Sequence, residues 1–436
     1  MDVINVNYDE QYVGAVSFDQ VTGVGAFEYS DTFIKSGIEL SPLKMPLARK
    51  IYTFPQIDRN AFKGLPGLLA DSLPDDFGNA VLNSWIATQG KSTDPITPLQ
   101  RLQYTGKRGM GALEFSPATS MRQLNASSNI QIDSLVSIAQ DVLDTRKDFA
   151  VALNNHGSDD KDAMLALLSV GMSAGGARPK AVVAFNNDKT EVRSGQTDAP
   201  EGFTHYLMKF DGVSEANSDR ETFGDPMGFG AMEYVYYIMA RKAGIDMMPC
   251  ELLQEGDRRH FITQRFDRVG NDKIHVQTLN GMAHVSYKQP GQYSYAELFG
   301  VARSLRLGIK DAEQILKRLV FNIVARNHDD HSKNTSFIMK GDKWALAPAY
   351  DLAFSYKKGS PWVNSHWMTL NGKRDNFIRE DLYSLGSLSP RFTQPFINKV
   401  IEEVKESVSQ WRTLANDEGV PKTLITEIDE NLRLYL

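Results

Sequence analysis

The sequence predicts an α+β chain: a small strand-rich domain over residues 1–118, then a larger two-lobed domain over 119–436 in which strands give way to helices near residue 268. Three patterns carry that reading. Apolar and polar residues alternate in 3–8 and again in 204–210, the period of a half-buried strand. Apolar residues recur at helical spacing in 132–143, 311–325 and 395–413. Within 119–436 the strand patterns come first and the helical ones later, with no internal repeat.

Taken in order, 3–8, 12–18 and 23–29 read as strands, with a turn at Asp9-Glu10. Pro42, Pro46 and Pro55 punctuate the next segment. The run Leu69-Ala70-Asp71-Ser72-Leu73-Pro74-Asp75-Asp76 leads into a helix. Asp75 or Asp76 caps it, and Ala80, Val81, Trp85 and Ile86 form its apolar stripe. A strand at 109–115 closes the first domain, and 116–120 is its boundary. Helices are expected at 132–143 and 159–169, strands at 181–185 and 205–210, and a polar, flexible stretch at 214–226. Helices dominate from Glu297 onward, interrupted by a strand pair at 335–339 and 344–347.

Composition excludes several classes. At 436 residues and 42 % apolar content the chain fills real cores. A net charge of −6 argues against a protein that grips nucleic acid through its own basic surface. Cys250 is the single cysteine, so neither a disulfide framework nor a thiolate metal site is available. The N-terminus lacks the runs of a signal peptide, and no stretch reaches the ~18 apolar residues of a membrane helix, so a soluble, cytoplasmic protein without membrane contact is expected.

Six pieces carry chemistry. The loop Ser173-Ala174-Gly175-Gly176-Ala177-Arg178-Pro179-Lys180 has two glycines that let backbone amides approach phosphate oxygens, and a lysine that closes it with positive charge. Alternation places Lys209 on a strand face with Leu207, a costly position unless an anion meets it. Glu233 lies in a helical pattern and is a candidate to orient Lys209. Gln264-Arg265-Phe266-Asp267 ends a strand as a connector. The densest signal is Asp329-Asp330-His331-Ser332-Lys333-Asn334, a polar cluster directly after an apolar helix. Last comes Tyr350-Asp351 after the strand pair. An Asp followed five residues later by Asn, then a lone Asp beyond two strands, is the spacing of a phosphoryl-transfer loop: Asp329 as base, Asn334 and Asp351 as oxygen ligands for Mg²⁺. Each piece also has a plainer reading. The loop serves as a helix cap, Lys209 snorkels to the sheet edge, Glu233 is an ordinary helical acid, and Phe266 is core. Zinc held by His328 and His331 is a rival for the dense cluster, but it leaves Asn334 and Asp351 without a role.

In this order and combination the chain resembles the HipA family of serine/threonine kinases, the toxin halves of bacterial toxin–antitoxin pairs. The resemblance includes the Leu69–Asp75 region, Ser-x-Gly-Gly-Ala-x-x-Lys, the Lys209 strand, Arg265–Arg268, Asp329-x-His331-x-Lys333-Asn334 and Tyr350-Asp351. It implies a protein-kinase-like fold with a large lobe of phosphatidylinositol-kinase type, and ATP with Mg²⁺ as cofactor. By position it implies ATP contacts from Gly175, Gly176, Ala177, Arg178, Pro179, Lys180 and Lys209. Gln264, Arg265 and Phe266 would hold adenine, Asp267 would sit near the ribose, and His331, Lys333, Asn334, Tyr350 and Asp351 would complete the site. It further implies autophosphorylation and self-inactivation at Ser173, a HipB-type antitoxin, operator DNA reached only through that antitoxin, and glutamyl-tRNA synthetase as the substrate best known for the family. The sequence departs from the family pattern at Asp330, where glycine is common, and at Arg178-Pro179. Two other readings stay open: a small-molecule kinase of the aminoglycoside or choline type, and a nucleotide-binding co-repressor acting with a DNA-binding antitoxin.

Overall fold

A computed structural model describes residues 3–88, 96–118, 130–144, 179–214 and 224–436. The expected helix at 159–169, the loop from Ser173 to Arg178 and most of the polar stretch at 214–226 lie outside the described residues. The chain divides into two compact units: 1–40, 47–230 and 250–276 form one, and 41–46, 231–249 and 277–436 the other.

The first unit holds two antiparallel five-stranded sheets. In one, Val3–Tyr8 is flanked by Gln11–Asp19 and by Leu113–Ser116, and Val24–Tyr29 and Ile51–Thr53 extend the sheet beyond Gln11–Asp19. The alternation read from the sequence appears as burial: Ile4, Val6, Val16 and Phe27 are inaccessible while Val3 and Ile51 face solvent. The second sheet runs Cys250–Glu255, Arg258–Gln264, Thr204–Lys209, Lys180–Phe185, Val192–Ser194. Helices Asp76–Thr88 and Ile132–Asp144 lie on it, and Phe77, Val81, Leu82, Leu135 and Ala139 share one core with Ala181, Val183, Phe185, Met208 and Ile262. Each large apolar side chain buried here stabilises the unit by roughly 1.5–3 kcal/mol, so helix 76–88 is fixed to this sheet even though it is encoded in the first 118 residues.

In the second unit the helix Ile309–Val324 packs against Gln394–Val408. The apolar spacing predicts a single helix over 395–413. The structure breaks it after Val408 and begins a new helix at Trp411, whose fully buried indole N–H donates to the Ile425 carbonyl at 3.1 Å. The Tyr236 ring, on helix Phe229–Lys242, meets Trp411 edge-on, and its hydroxyl donates to the Ala325 carbonyl at 2.7 Å. That bond holds the carbonyl at the end of helix 309–324, where the polar cluster begins. The strands Ser336–Lys340 and Lys343–Leu346 pair as a hairpin beyond the cluster.

Candidate active site

In the second unit the chain leaves helix 309–324 through Arg326, whose φ of 57° is left-handed. A non-glycine residue there costs about 1–2 kcal/mol. Neighbouring bonds hold it: Ser355 N–H donates to the Arg326 carbonyl at 3.0 Å, and His328 N–H donates to the Ser355 carbonyl at 3.1 Å. The next loop places its two aspartates oppositely. The Asp329 side chain is 41 % exposed, with Oδ1 3.6 Å from His331 Nε2. Asp330 is buried and accepts three hydrogen bonds. The two neighbouring carboxylates thus meet different surroundings, Asp329 partly open to solvent and Asp330 among buried donors.

Asn334 Nδ2 donates to the Asp329 carbonyl at 2.7 Å, which closes the loop and leaves Oδ1 as the side-chain oxygen able to meet a cation. The Tyr350 hydroxyl donates to the Lys333 carbonyl at 2.6 Å, so the segment that carries Asp351 is fastened to the same loop. Asp351 has a left-handed φ of 53°, and its carbonyl accepts from Asn327 Nδ2 at 3.4 Å. His331 sits edge-on between the rings of Tyr287 and Trp367, and Lys333 Nζ lies 4.5 Å from the Tyr287 ring centre. The structure thus brings Asp329, His331, Lys333, Asn334, Tyr350 and Asp351 into one connected loop system. Glu233 is buried on helix 229–242 of the same unit.

Magnesium usually takes one or two protein oxygens and fills its remaining positions with phosphates and water, so an Asn–Asp pair fits it. Among the described residues, no group of three or more His, Cys, Asp and Glu side chains could hold a metal. Zinc at His328 is countered directly. Its Nδ1–H donates to the Val363 carbonyl at 3.1 Å, and its Nε2 accepts from Arg326 at 3.3 Å.

In the first unit, Lys180 and Lys209 are cross-strand partners, and both are buried. Like charges directly opposite each other are unfavourable without an anion. Asp75 supplies one: its Oδ2 lies 3.7 Å from Lys180 Nζ, while Oδ1 caps helix 76–88 through the Gly78 N–H. The cap was legible in the sequence; the pairing across more than a hundred residues was not. Asp75→Asn keeps an oxygen for the cap and removes the charge, and is expected to lower stability by about 1–3 kcal/mol in urea unfolding. Asp75→Ala should cost about 1 kcal/mol more. Unchanged midpoints in both would mean that the pair contributes nothing.

Gln264 and Phe266 are half-buried, and Arg265 N–H donates to the His205 carbonyl at 2.9 Å. Asp267, expected near a ribose, is 0 % exposed. Its oxygens accept from Arg265 Nε at 2.8 Å and a terminal Arg265 nitrogen at 2.7 Å, from Arg268 at 2.8 Å, and from the Gly111 N–H at 2.8 Å. No oxygen of that carboxylate faces solvent. Arg268 also donates to the carbonyls of Gly109 and Gly111, so this acidic connector anchors the loop before strand 113–116. Gly111 has φ +74°, and a Cβ there would lie 3.2 Å from the Val276 nitrogen. Pro179 leads into strand 180–185, its carbonyl accepting from Phe210 N–H; Ser173, Gly175, Gly176, Ala177 and Arg178 are outside the described residues.

Two family matches decide the kinship: the HipA N-terminal domain over residues 4–116 and the HipA-like C-terminal domain over 172–411. The chain belongs to the HipA family. The serine/threonine-protein kinase toxin HipA of Shewanella oneidensis is 21 % identical over 377 residues, 80 % of this chain and 74 % of that protein. Toxin YjjJ of Escherichia coli is 24 % identical over 297 residues, 68 % of this chain; the match spans 61 % of that toxin's own length. The solved Shewanella HipA, in a complex with HipB and operator DNA, superposes with a TM-score of 0.67 at 16 % identity, covering 98 % of this chain and 95 % of that one. The fold is therefore the α+β, kinase-like HipA fold expected from the sequence, with its strand-rich N-terminal domain.

Two buried histidines of this HipA-family chain set a pH dependence of stability. Burial lowers His275 to about 4, partly offset by its bond to the Leu40 carbonyl. Burial, with His366 and Arg326 nearby, lowers His328 to about 3. Both are neutral when folded and take up protons on unfolding, so their contribution is complete above about pH 6.5 and is lost as pH falls toward those values. Each should give a slope of up to about 1.4 kcal/mol per pH unit below 6.5. Urea unfolding at pH 7, 6 and 5 checks this; flat stability across that range would contradict it. No helix among the described residues is long and apolar enough to cross a membrane.

Proposed function

We propose that this chain is an ATP- and Mg²⁺-dependent serine/threonine protein kinase of HipA toxin type. The observation that supports it most is the pairing of a solvent-facing Asp329 with an Asn334 whose amide nitrogen is tied to the Asp329 carbonyl. A base for a hydroxyl proton and an oxygen for a cation are then held on one short loop.

Asp329 would accept the proton of the attacking hydroxyl as its oxygen bonds to the γ-phosphorus and the bond from that phosphorus to the β,γ-bridging oxygen breaks, the electron pair and that oxygen leaving with ADP. Asn334 Oδ1 and Asp351 would hold Mg²⁺, which, when bound, offsets the charge on the phosphate oxygens. Lys180 and Lys209, buried side by side, suit a polyanion, and Lys180 would exchange Asp75 for a phosphate oxygen. Gly175, Gly176, Ala177 and Arg178 would present backbone N–H groups to the triphosphate, with Pro179, which has none, lining it beside them, and Gln264, Arg265 and Phe266 would receive adenine chiefly through backbone groups. His331, Lys333 and Tyr350 would shape the loop around the transferred group, and Glu233 would orient a lysine.

Ser173 would be the autophosphorylation site. A dianion there is incompatible with a triphosphate on the same loop, so the modification would switch the enzyme off. The Shewanella relative was solved with HipB and operator DNA. That supports a HipB-type antitoxin as partner here, with DNA contact made through it, as the net charge of −6 suggests. Glutamyl-tRNA synthetase is the protein substrate to test first, and the cytoplasm is the expected compartment. The test is incubation with labelled ATP and Mg²⁺, with and without that synthetase. Label on the chain that is absent from Ser173→Ala supports autophosphorylation; label on the synthetase supports the substrate. ATP turnover on a small amine or sugar with no protein label would favour a small-molecule kinase instead.

A further inference from the structure

Asp330 lies one residue beyond the proposed base, but its carboxylate is turned inward. It is 3 % exposed and carries three donors. Oδ2 accepts from the Tyr295 hydroxyl at 2.7 Å and from His366 Nδ1–H at 3.0 Å; Oδ1 accepts from the Trp367 backbone N–H at 2.7 Å. Burial pushes its pKa up, but the His366 ring and the bonds from His366, Tyr295 and Trp367 outweigh that and hold the carboxyl below its ordinary value. The bonds continue inward. Asn322 Nδ2 donates to the Tyr295 oxygen at 3.2 Å, and Asn327 Nδ2 donates to Asn322 Oδ1 at 2.9 Å and to the Asp351 carbonyl at 3.4 Å. Tyr295 belongs to helix Tyr295–Ser304 and Asn322 to helix 309–324. One buried chain of side chains therefore runs from the residue after the base to the backbone of the metal-ligand candidate.

We propose that Asp330 is a positioning residue for phosphoryl transfer: through Tyr295, Asn322 and Asn327 it holds the Asp329 loop in register with Asp351, and through His366 and Trp367 it clamps that loop to the segment beyond. This rests on the kinase reading above. The physical need is plain. Proton acceptance and cation binding must meet at one phosphoryl group, and a displacement of about 1 Å can cost on the order of 10²-fold in rate. A buried hydrogen-bonded relay resists such displacement, because each broken link leaves a further polar group without its partner.

The test compares Asp330→Ala, Tyr295→Phe and the double variant. Asp330→Ala should lower kcat about 10²-fold with the KM for ATP changed little. Tyr295→Phe should lower kcat about tenfold, and the double variant should lose no more than Asp330→Ala alone, because one relay is being cut twice. Wild-type kcat in Asp330→Ala, or losses that multiply in the double variant, would overturn the proposal. A loss of kcat that merely tracks the unfolded fraction would do the same. Hydrogen exchange gives an answer that does not depend on turnover: in Asp330→Ala, amides at 329–334 and at 350–352 should both exchange at least about tenfold faster. Faster exchange confined to 329–334 would sink the relay. A wild-type chain that consumes no ATP would bring down the kinase reading, while the exchange result would still decide the register.

Discussion

Asp329→Ala is expected to lower phosphoryl transfer by about 10²–10⁴-fold, the usual contribution of a positioned general base. The same variant should change stability by less than about 0.5 kcal/mol, as a partly exposed side chain outside any buried network does. The contrast with Asp330 makes this informative. The two residues are adjacent in sequence and chemically identical, yet one side chain is 41 % exposed and the other carries three buried hydrogen bonds. Substituting the first should remove activity and spare the fold; substituting the second should affect register and stability together. Initial rates with labelled ATP, paired with urea midpoints for both variants, measure this. Equal activity in Asp329→Ala and wild type would remove the base assignment.

Asp267→Asn should give the largest stability loss among the substitutions considered, about 3–5 kcal/mol. The variant leaves the Arg265 and Arg268 guanidinium groups facing each other without the carboxylate that separates them, and it weakens the bond from Gly111. Burial pushes the Asp267 carboxyl up, but Arg265 and Arg268 outweigh it and hold it far below the usual range. Its contribution is therefore complete above the ordinary carboxylate pKa, unaffected by moderate acid, and lost only as pH falls through the depressed folded value. At pH 7 the whole effect is measurable by urea unfolding. Replacing the triad together by apolar residues of similar volume should recover only part of the loss, because it removes the unpaired buried charge but strips the Gly111 N–H and the Gly109 and Gly111 carbonyls of their partners. A wild-type midpoint for Asp267→Asn would show that the triad is energetically idle.

Much of the fold was legible because burial follows local period. Strands 3–8, 180–185 and 204–209 and helix 309–324 announce themselves through alternation or a continuous apolar stripe. The loop from Asp329 to Asn334 was legible as a local unit through spacing alone, and Asn334 does bond back to the Asp329 carbonyl. What the sequence hid is long-range pairing. Nothing near Asp75 signals Lys180, and nothing near Asp267 signals Gly109 and Gly111. Asp267 illustrates the limit well: an acidic residue in a strand connector reads as a ligand contact until its two arginine neighbours are seen folded onto it. One hidden element did leave a trace. Asn322 interrupts the apolar run Phe321–Val324, and a polar residue in a buried stripe must find partners, here Tyr295 and Asn327.

Intact-mass spectrometry of the purified chain before and after incubation with ATP and Mg²⁺ tests the central assignment most directly. A phosphoryl transferase of this design should gain the mass of one phosphate at Ser173, and the Asp329→Ala protein should gain none. Unchanged mass in the wild-type chain, with no ATP consumed in the presence of candidate protein or small-molecule acceptors, would contradict it.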